Sequence, residues 1–165
     1  REKAEVHDLE IVCVPRLGAP RPVFGQKRIF TTHLDAALFR LECDGRLGLR
    51  PKDGPRQKQI AINLDAFGVR TLDRFFLDLF IVRPDSWGVQ FTLRTGPAEF
   101  SHKCVTKRSQ GGYLPGHMKV EDGLLWEIDP ESRVIPTLQE IDFLEAIGLG
   151  WIEPRDRKRY VEEHP

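Results

Sequence analysis

The chain has 165 residues, 25 basic and 25 acidic side chains, a formal net charge of zero and 40% apolar residues. That length supports one domain, or two small lobes, with a real core, and the balanced charge argues against a strong nonspecific nucleic-acid binder. No apolar run approaches the ~18–20 residues of a membrane span, no signal-peptide pattern opens the chain, and Cys13, Cys43 and Cys104 show no metal-ligand spacing, which together predict a cytoplasmic protein with reduced thiols.

Residues 8–14 read as a strand closed by Pro15, and the Pro- and Gly-rich stretch 16–27 as a loop. Leu34, Ala37, Leu38 and Leu41 recur at helical spacing, so 32–44 is expected to be a helix with Gly45 just past its end. Lys52-Asp53-Gly54-Pro55 reads as a turn, 58–64 as an alternating strand, and 72–82 as a strand with apolar residues on both faces, suited to the middle of a sheet. Asp85-Ser86 can cap a short helix to about Leu93, and Pro97 can open another to about Ser109. Residues 118–126 form a hairpin around Asp122-Gly123. The run Thr137-Leu138-Gln139-Glu140 is a capping-box pattern opening a helix that Gly148 ends. Trp151-Ile152 is expected to pack back on the core, with the charged tail after Arg155 exposed or frayed. Helices are too few for a doubly wound sheet, and the pattern is α+β.

Three acids carry the chemistry. Asp8 and Glu10 stand at i and i+2 on the first strand and therefore point to one face. Asp78 sits between Phe76 and Phe80 in an apolar strand, where a carboxylate is costly unless paired or metal-bound. If the two strands are neighbours, three carboxylates meet in a hard-oxygen site suited to Mg²⁺ and a triphosphate. The bland alternative puts Asp8 and Glu10 on a solvent-facing edge. Asp65 and Asp73 are rivals for the third acid but lie in turn-like sequence. Basic residues cluster at Arg50/Lys52/Arg56/Lys58, at Lys103/Lys107/Arg108 and at Arg155/Arg157/Lys158/Arg159, which reads as solvated surface while allowing a local phosphate-binding face. The five histidines show no ligand spacing. Trp87, Trp126 and Trp151 sit where core aromatics are expected, although each could stack on a base.

The order of these features resembles the palm and C-terminal subdomain of family X DNA polymerases, the DNA polymerase beta-like enzymes, and within them small phage- and bacterial-type nucleotidyltransferases. The matching run is Arg1, Asp8-Leu9-Glu10, the Leu34–Leu41 helix, Leu77-Asp78-Leu79-Phe80 and Thr95-Gly96, then a helix, the Gly123 hairpin, a closing helix and Glu153-Pro154-Arg155-Asp156-Arg157. The resemblance implies a nucleotidyltransferase-fold palm over 1–94, a mixed sheet with helices, and a small C-terminal nucleotide-selection subdomain over 95–165. It implies Asp8, Glu10 and Asp78 as ligands of Mg²⁺ or Mn²⁺, with Asp78 nearest the acceptor hydroxyl as its base. Arg1 would contact the triphosphate, and the Thr95-Gly96 backbone would lie against the incoming sugar, a close approach that glycine permits. The implied activity is nucleotidyl transfer from a nucleoside triphosphate to a hydroxyl, with DNA as the favoured acceptor and pyrophosphate released.

The chain departs from the family pattern in several places. The family's Gly-Ser motif would precede Arg1, so the sequence is expected to begin inside the domain. The second acid is Glu10 where Asp is usual, Leu93-Arg94 replaces an aromatic pair, and Phe76 stands where an Arg is common two residues before the third acid. The lyase and helix-hairpin-helix DNA-binding domains are absent from this sequence. The alternatives are a nucleotidyltransferase acting on RNA or a small molecule, and a non-catalytic palm-like domain that binds nucleic acid or a protein.

Overall fold

The computed structural model describes residues 8–18, 32–70, 74–128 and 130–164. The fold is α+β, and the chain divides into two compact units between Ile81 and Val82.

The first unit is built on a four-stranded mixed sheet. Its strands are β1 (Asp8–Cys13), β2 (Lys52–Asp53), β3 (Gln57–Ile62) and β4 (Phe75–Ile81), in the order β1-β4-β3-β2. β1 runs parallel to β4, while β3 is antiparallel to both β4 and β2. β4 is thus an inner strand, as its two-sided apolar pattern predicts. The short pairing of Lys52–Asp53 with β3 makes the expected turn into the end of a hairpin.

Helix α1 (His33–Cys43) covers one face of this sheet. Thr32 caps it by accepting the Asp35 N–H at 3.0 Å, and Gly45, at φ +68°, leaves the helix in a conformation that other residues adopt at a cost. Leu34, Leu38 and Leu41 pack on Ile60, Ile62, Leu77 and Leu79. Because side chains alternate along each strand, Gln59, Phe76, Asp78 and Phe80 belong to the opposite face.

The second unit has helices α2 (Trp87–Thr95), α3 (Ala98–Val105), α4 (Glu140–Ala146) and α5 (Arg157–Glu163). Strands β5 (Met118–Glu121), β6 (Leu124–Glu127) and β7 (Arg133–Ile135) form an antiparallel sheet in chain order. Val89, Phe100, Cys104, Leu125, Phe143, Leu144 and Ile147 are fully buried at its centre. Asp122 and Gly123 have φ of 55° and 80°, the left-handed pair that an Asp-Gly hairpin turn requires. The subdomain boundary expected at 94/95 falls inside α2, which packs against α4.

Three expectations change here. The helix near 140 starts later than its capping-box pattern suggests: Gln139 is the cap, and its N–H donates to Asp142 at 2.8 Å. Thr137 is instead buried and bonded to the Asp85 carbonyl through its N–H at 3.0 Å and its hydroxyl at 3.3 Å. The tail after Arg155 is not frayed but forms α5, whose Arg157 and Val161 are buried. Of the Trp151-Ile152 pair only Ile152 enters the core, since Trp151 is exposed.

Candidate active site

Strand pairing sets the positions of the acids. Glu10 lies directly opposite Asp78, and Asp8 opposite Phe76. Residues paired across neighbouring strands share a face, so Asp8, Glu10 and Asp78 all stand on the side away from α1. Asp8 and Glu10 are exposed, on a strand that ends the sheet order, whereas Asp78 on the inner strand is only 7% exposed. Asp78 Oδ2 accepts a hydrogen bond from Gln59 Nε2 at 3.3 Å. Asp78 Oδ1 is buried and has no hydrogen-bond partner among the described residues.

A buried carboxylate oxygen left unpaired is unfavourable, and native structures keep few such atoms without a reason. The donor chemistry, three carboxylates on one face with one oxygen unclaimed, suits a hard divalent cation. The side chains do not form a closed site, however. Among the described residues no group of three or more His, Cys, Asp or Glu side chains is gathered so that it could hold a metal ion. Of the rival acids, Asp65 is exposed in the short turn Leu64–Phe67, and Asp73 lies outside the described residues, as does Arg1.

Thr95 and Gly96 belong to the second unit, where they join a buried polar cluster that the sequence reading missed. The Arg157 side chain is wholly buried. Its Nη2 donates to Glu140 Oε1 at 2.9 Å, its Nη1 to Thr95 Oγ1 at 2.5 Å and its Nε to the Ile152 carbonyl at 3.2 Å. Its guanidinium carbon lies 5.3 Å from the centre of the Phe100 ring. The Thr95 hydroxyl has one proton to give, and three acceptors lie in range: Phe91 O and Glu140 Oε1, both at 2.9 Å, and Thr92 O at 3.4 Å. Gly96 has an ordinary φ of −85°. Its need for glycine is spatial, because a Cβ would stand 2.9 Å from Phe100 Cδ1. The available signal was the spacing of Arg157, Tyr160 and Val161, which places all three on one helical face.

The basic clusters are largely spoken for. Lys107 Nζ donates to the carbonyls of Pro115, Gly116 and Met118. Arg108 reaches the carbonyls of Tyr113 and Ile147 at 3.1 and 2.7 Å, and Lys103 that of His164 at 2.9 Å. Arg50 pairs with Glu42 and Asp53, and Lys58 with Asp53 and Asp35. The Lys58 hydrogen bond holds the Asp53 carboxyl below its usual range. These cations tie loops and helices together.

The cysteines are free thiols. Cys104 is buried in the second core, which pushes its thiol up to about 12 against a smaller opposing effect of the Arg157 charge. Cys13 is only half-buried. Among the described residues no helix is long and apolar enough to cross a membrane. The chain matches no protein-family model and no curated protein.

Proposed function

We propose that this chain is a metal-dependent nucleotidyltransferase of the DNA polymerase beta kind, joining a nucleoside triphosphate to a hydroxyl, with a DNA 3′ end as the acceptor. The observation that carries the reading is the shared sheet face of Asp8, Glu10 and Asp78, with a buried, unpartnered oxygen on Asp78. Asp8, Glu10 and Asp78 would hold Mg²⁺ or Mn²⁺, which supplies positive charge to oxygens that become more negative during displacement at phosphorus. Asp78 itself is acceptor-only when ionised, so it can orient the attacking hydroxyl and take its proton. Within the second unit, Arg157 and Glu140 hold the Thr95 hydroxyl in place.

One observation favours a second reading. The acids do not converge on a point among the described residues, as expected of a palm-like domain that binds nucleic acid or protein without catalysis. The two readings separate in a primer-extension assay with labelled deoxynucleotide and Mg²⁺. The catalytic reading expects incorporation by the wild type and none by Asp78→Ala, while equal signals from both sink the assignment of Asp78. Repeating the assay with an RNA end or ribonucleotides fixes the acceptor and sugar preference.

A further inference from the structure

The two edges of the first unit's sheet are unlike. β2 closes one edge with only two residues, Lys52 and Asp53, and Asp53 is tied to Lys58 at 2.6 Å and to Arg50 at 3.2 Å. Short, charged edge strands discourage pairing with another chain. β1 forms the other edge with six residues, and among the described residues no strand pairs with its outer side. Because β4 occupies its inner side, every second residue of β1 turns its N–H and C=O outward. Asp8, Leu9, Glu10 and Ile11 are all exposed. Leu9 and Ile11 lie on the α1 side of the sheet, opposite Leu77 and Leu79, yet remain 45% and 39% exposed. Val14, just past the strand, is 43% exposed. An open, apolar edge of this length is a template for a further strand.

We propose that the outer edge of β1 pairs antiparallel with β1 of a second copy of this chain, about a two-fold axis through Ile11, joining two four-stranded sheets into one. The strand's own sequence argues for this occupant, because a two-fold contact must be complementary to itself. Its acids stand at one end and its valines at the other, on the same face. Centred on Ile11, the pairing sets Asp8 opposite Val14, Glu10 opposite Val12 and Leu9 opposite Cys13, with Ile11 opposite Ile11 of the second copy. No like charges meet, and Leu9, Ile11 and Cys13 of both copies form one unbroken apolar row. Neighbouring registers are worse. A centre at Glu10 brings two Glu10 carboxylates face to face, and a centre at Leu9 faces Asp8 with Glu10. A centre between Glu10 and Ile11 sets each exposed Ile11 against a carboxylate, and moving the centre towards Val12 runs the strand into Pro15, which has no N–H to give. α1 packs over β3 and β4, clear of this edge. The pairing does not depend on what the acid face binds.

A single strand pair is small beside the ~1,200–2,000 Å² of a stable interface, so the dimer should form only as concentration rises. The test is sedimentation velocity of the whole chain from about 1 μM to about 1 mM, with circular dichroism to show that each variant is folded. The wild type should pass from monomer to dimer across this range. Ile11→Lys and Ile11→Glu each place like charges across the axis and should move the transition about tenfold or more to higher concentration. An equal mixture of the two should dimerise again, because opposite charges then meet. If either variant fails to fold, Val14→Lys decides: the site is exposed and faces Asp8 of the second copy, so the dimer should tighten at low salt and lose that gain at high salt. A wild type still monomeric at about 1 mM overturns the proposal, as for an edge that takes a strand of some other protein. A dimer insensitive to both Ile11 variants, a mixture that stays monomeric, or no tightening by Val14→Lys overturns it as well.

Discussion

Asp78 places a carboxylate on the inner strand of a sheet with one oxygen bonded to Gln59 and the other without a hydrogen-bond partner among the described residues. Stability alone would not select this arrangement, because an unsatisfied buried polar atom costs about 1–3 kcal/mol. Sites that carry function often keep such costs. Asp78→Asn removes the charge, can still accept from Gln59, and leaves no ionised oxygen buried. In the absence of divalent cations it should therefore raise the unfolding free energy by about 1 kcal/mol, read from urea melts with circular dichroism. A less stable variant would mean that the Asp78 charge is compensated in the fold itself. The acid pair Asp8/Glu10 and the mid-strand Asp78 were legible in the sequence because alternation in a strand is strict. Gln59 was not, because its importance depends on which strand lies beside β4.

At the scale of elements, legibility tracked how local each signal is. The leucines of α1, the Gly45 just past its end and the Asp122-Gly123 turn are short-range features, and all appear where the sequence puts them. The start of α4 does not, because Thr137 is drawn into bonds with the Asp85 carbonyl and Gly88 donates to the Thr137 carbonyl at 2.7 Å. A tertiary contact thus overrides a capping pattern that is locally satisfactory. β7 is only three residues long and is defined by its partner β6 rather than by its own sequence. α5 was hidden by its charges: Arg157, Lys158 and Arg159 resemble a solvated run, yet Arg157 is wholly buried against Glu140. Removing one partner of such a pair leaves an uncompensated buried charge, so Arg157→Met should cost about 3–5 kcal/mol. The double variant Arg157→Met/Glu140→Leu should recover much of that loss in the same urea melts. Additive losses would show that the pair is not coupled.

For the whole molecule, zero net charge conceals a division of labour. Most cations of the three basic clusters are committed to carboxylates or carbonyls inside their own unit. The second unit's core also holds acidic groups in their neutral form. Burial raises the Cys104 thiol from 9.0 to about 12, and the Tyr113 phenol, buried and close to Tyr160, from 10.0 to about 12. Because the folded-state values are the higher ones, the unfolded chain ionises first as pH rises. The stabilisation is complete below pH 9.0 and is lost progressively towards about pH 12. Alkaline melts should show this loss, and Cys104→Ala should flatten it, with the Tyr113 contribution remaining. A variant as alkali-sensitive as the wild type would contradict the burial of the thiol.

The claim that the three-acid face drives nucleotidyl transfer is tested most directly by pyrophosphate release. Wild type and Asp78→Asn, both shown to be folded, would be given a nucleoside triphosphate and a primed DNA end with and without Mg²⁺. The account predicts Mg²⁺-dependent release by the wild type, matched one-for-one by primer extension, and none above background from Asp78→Asn. Equal release from the two proteins, or none from the wild type, would contradict it.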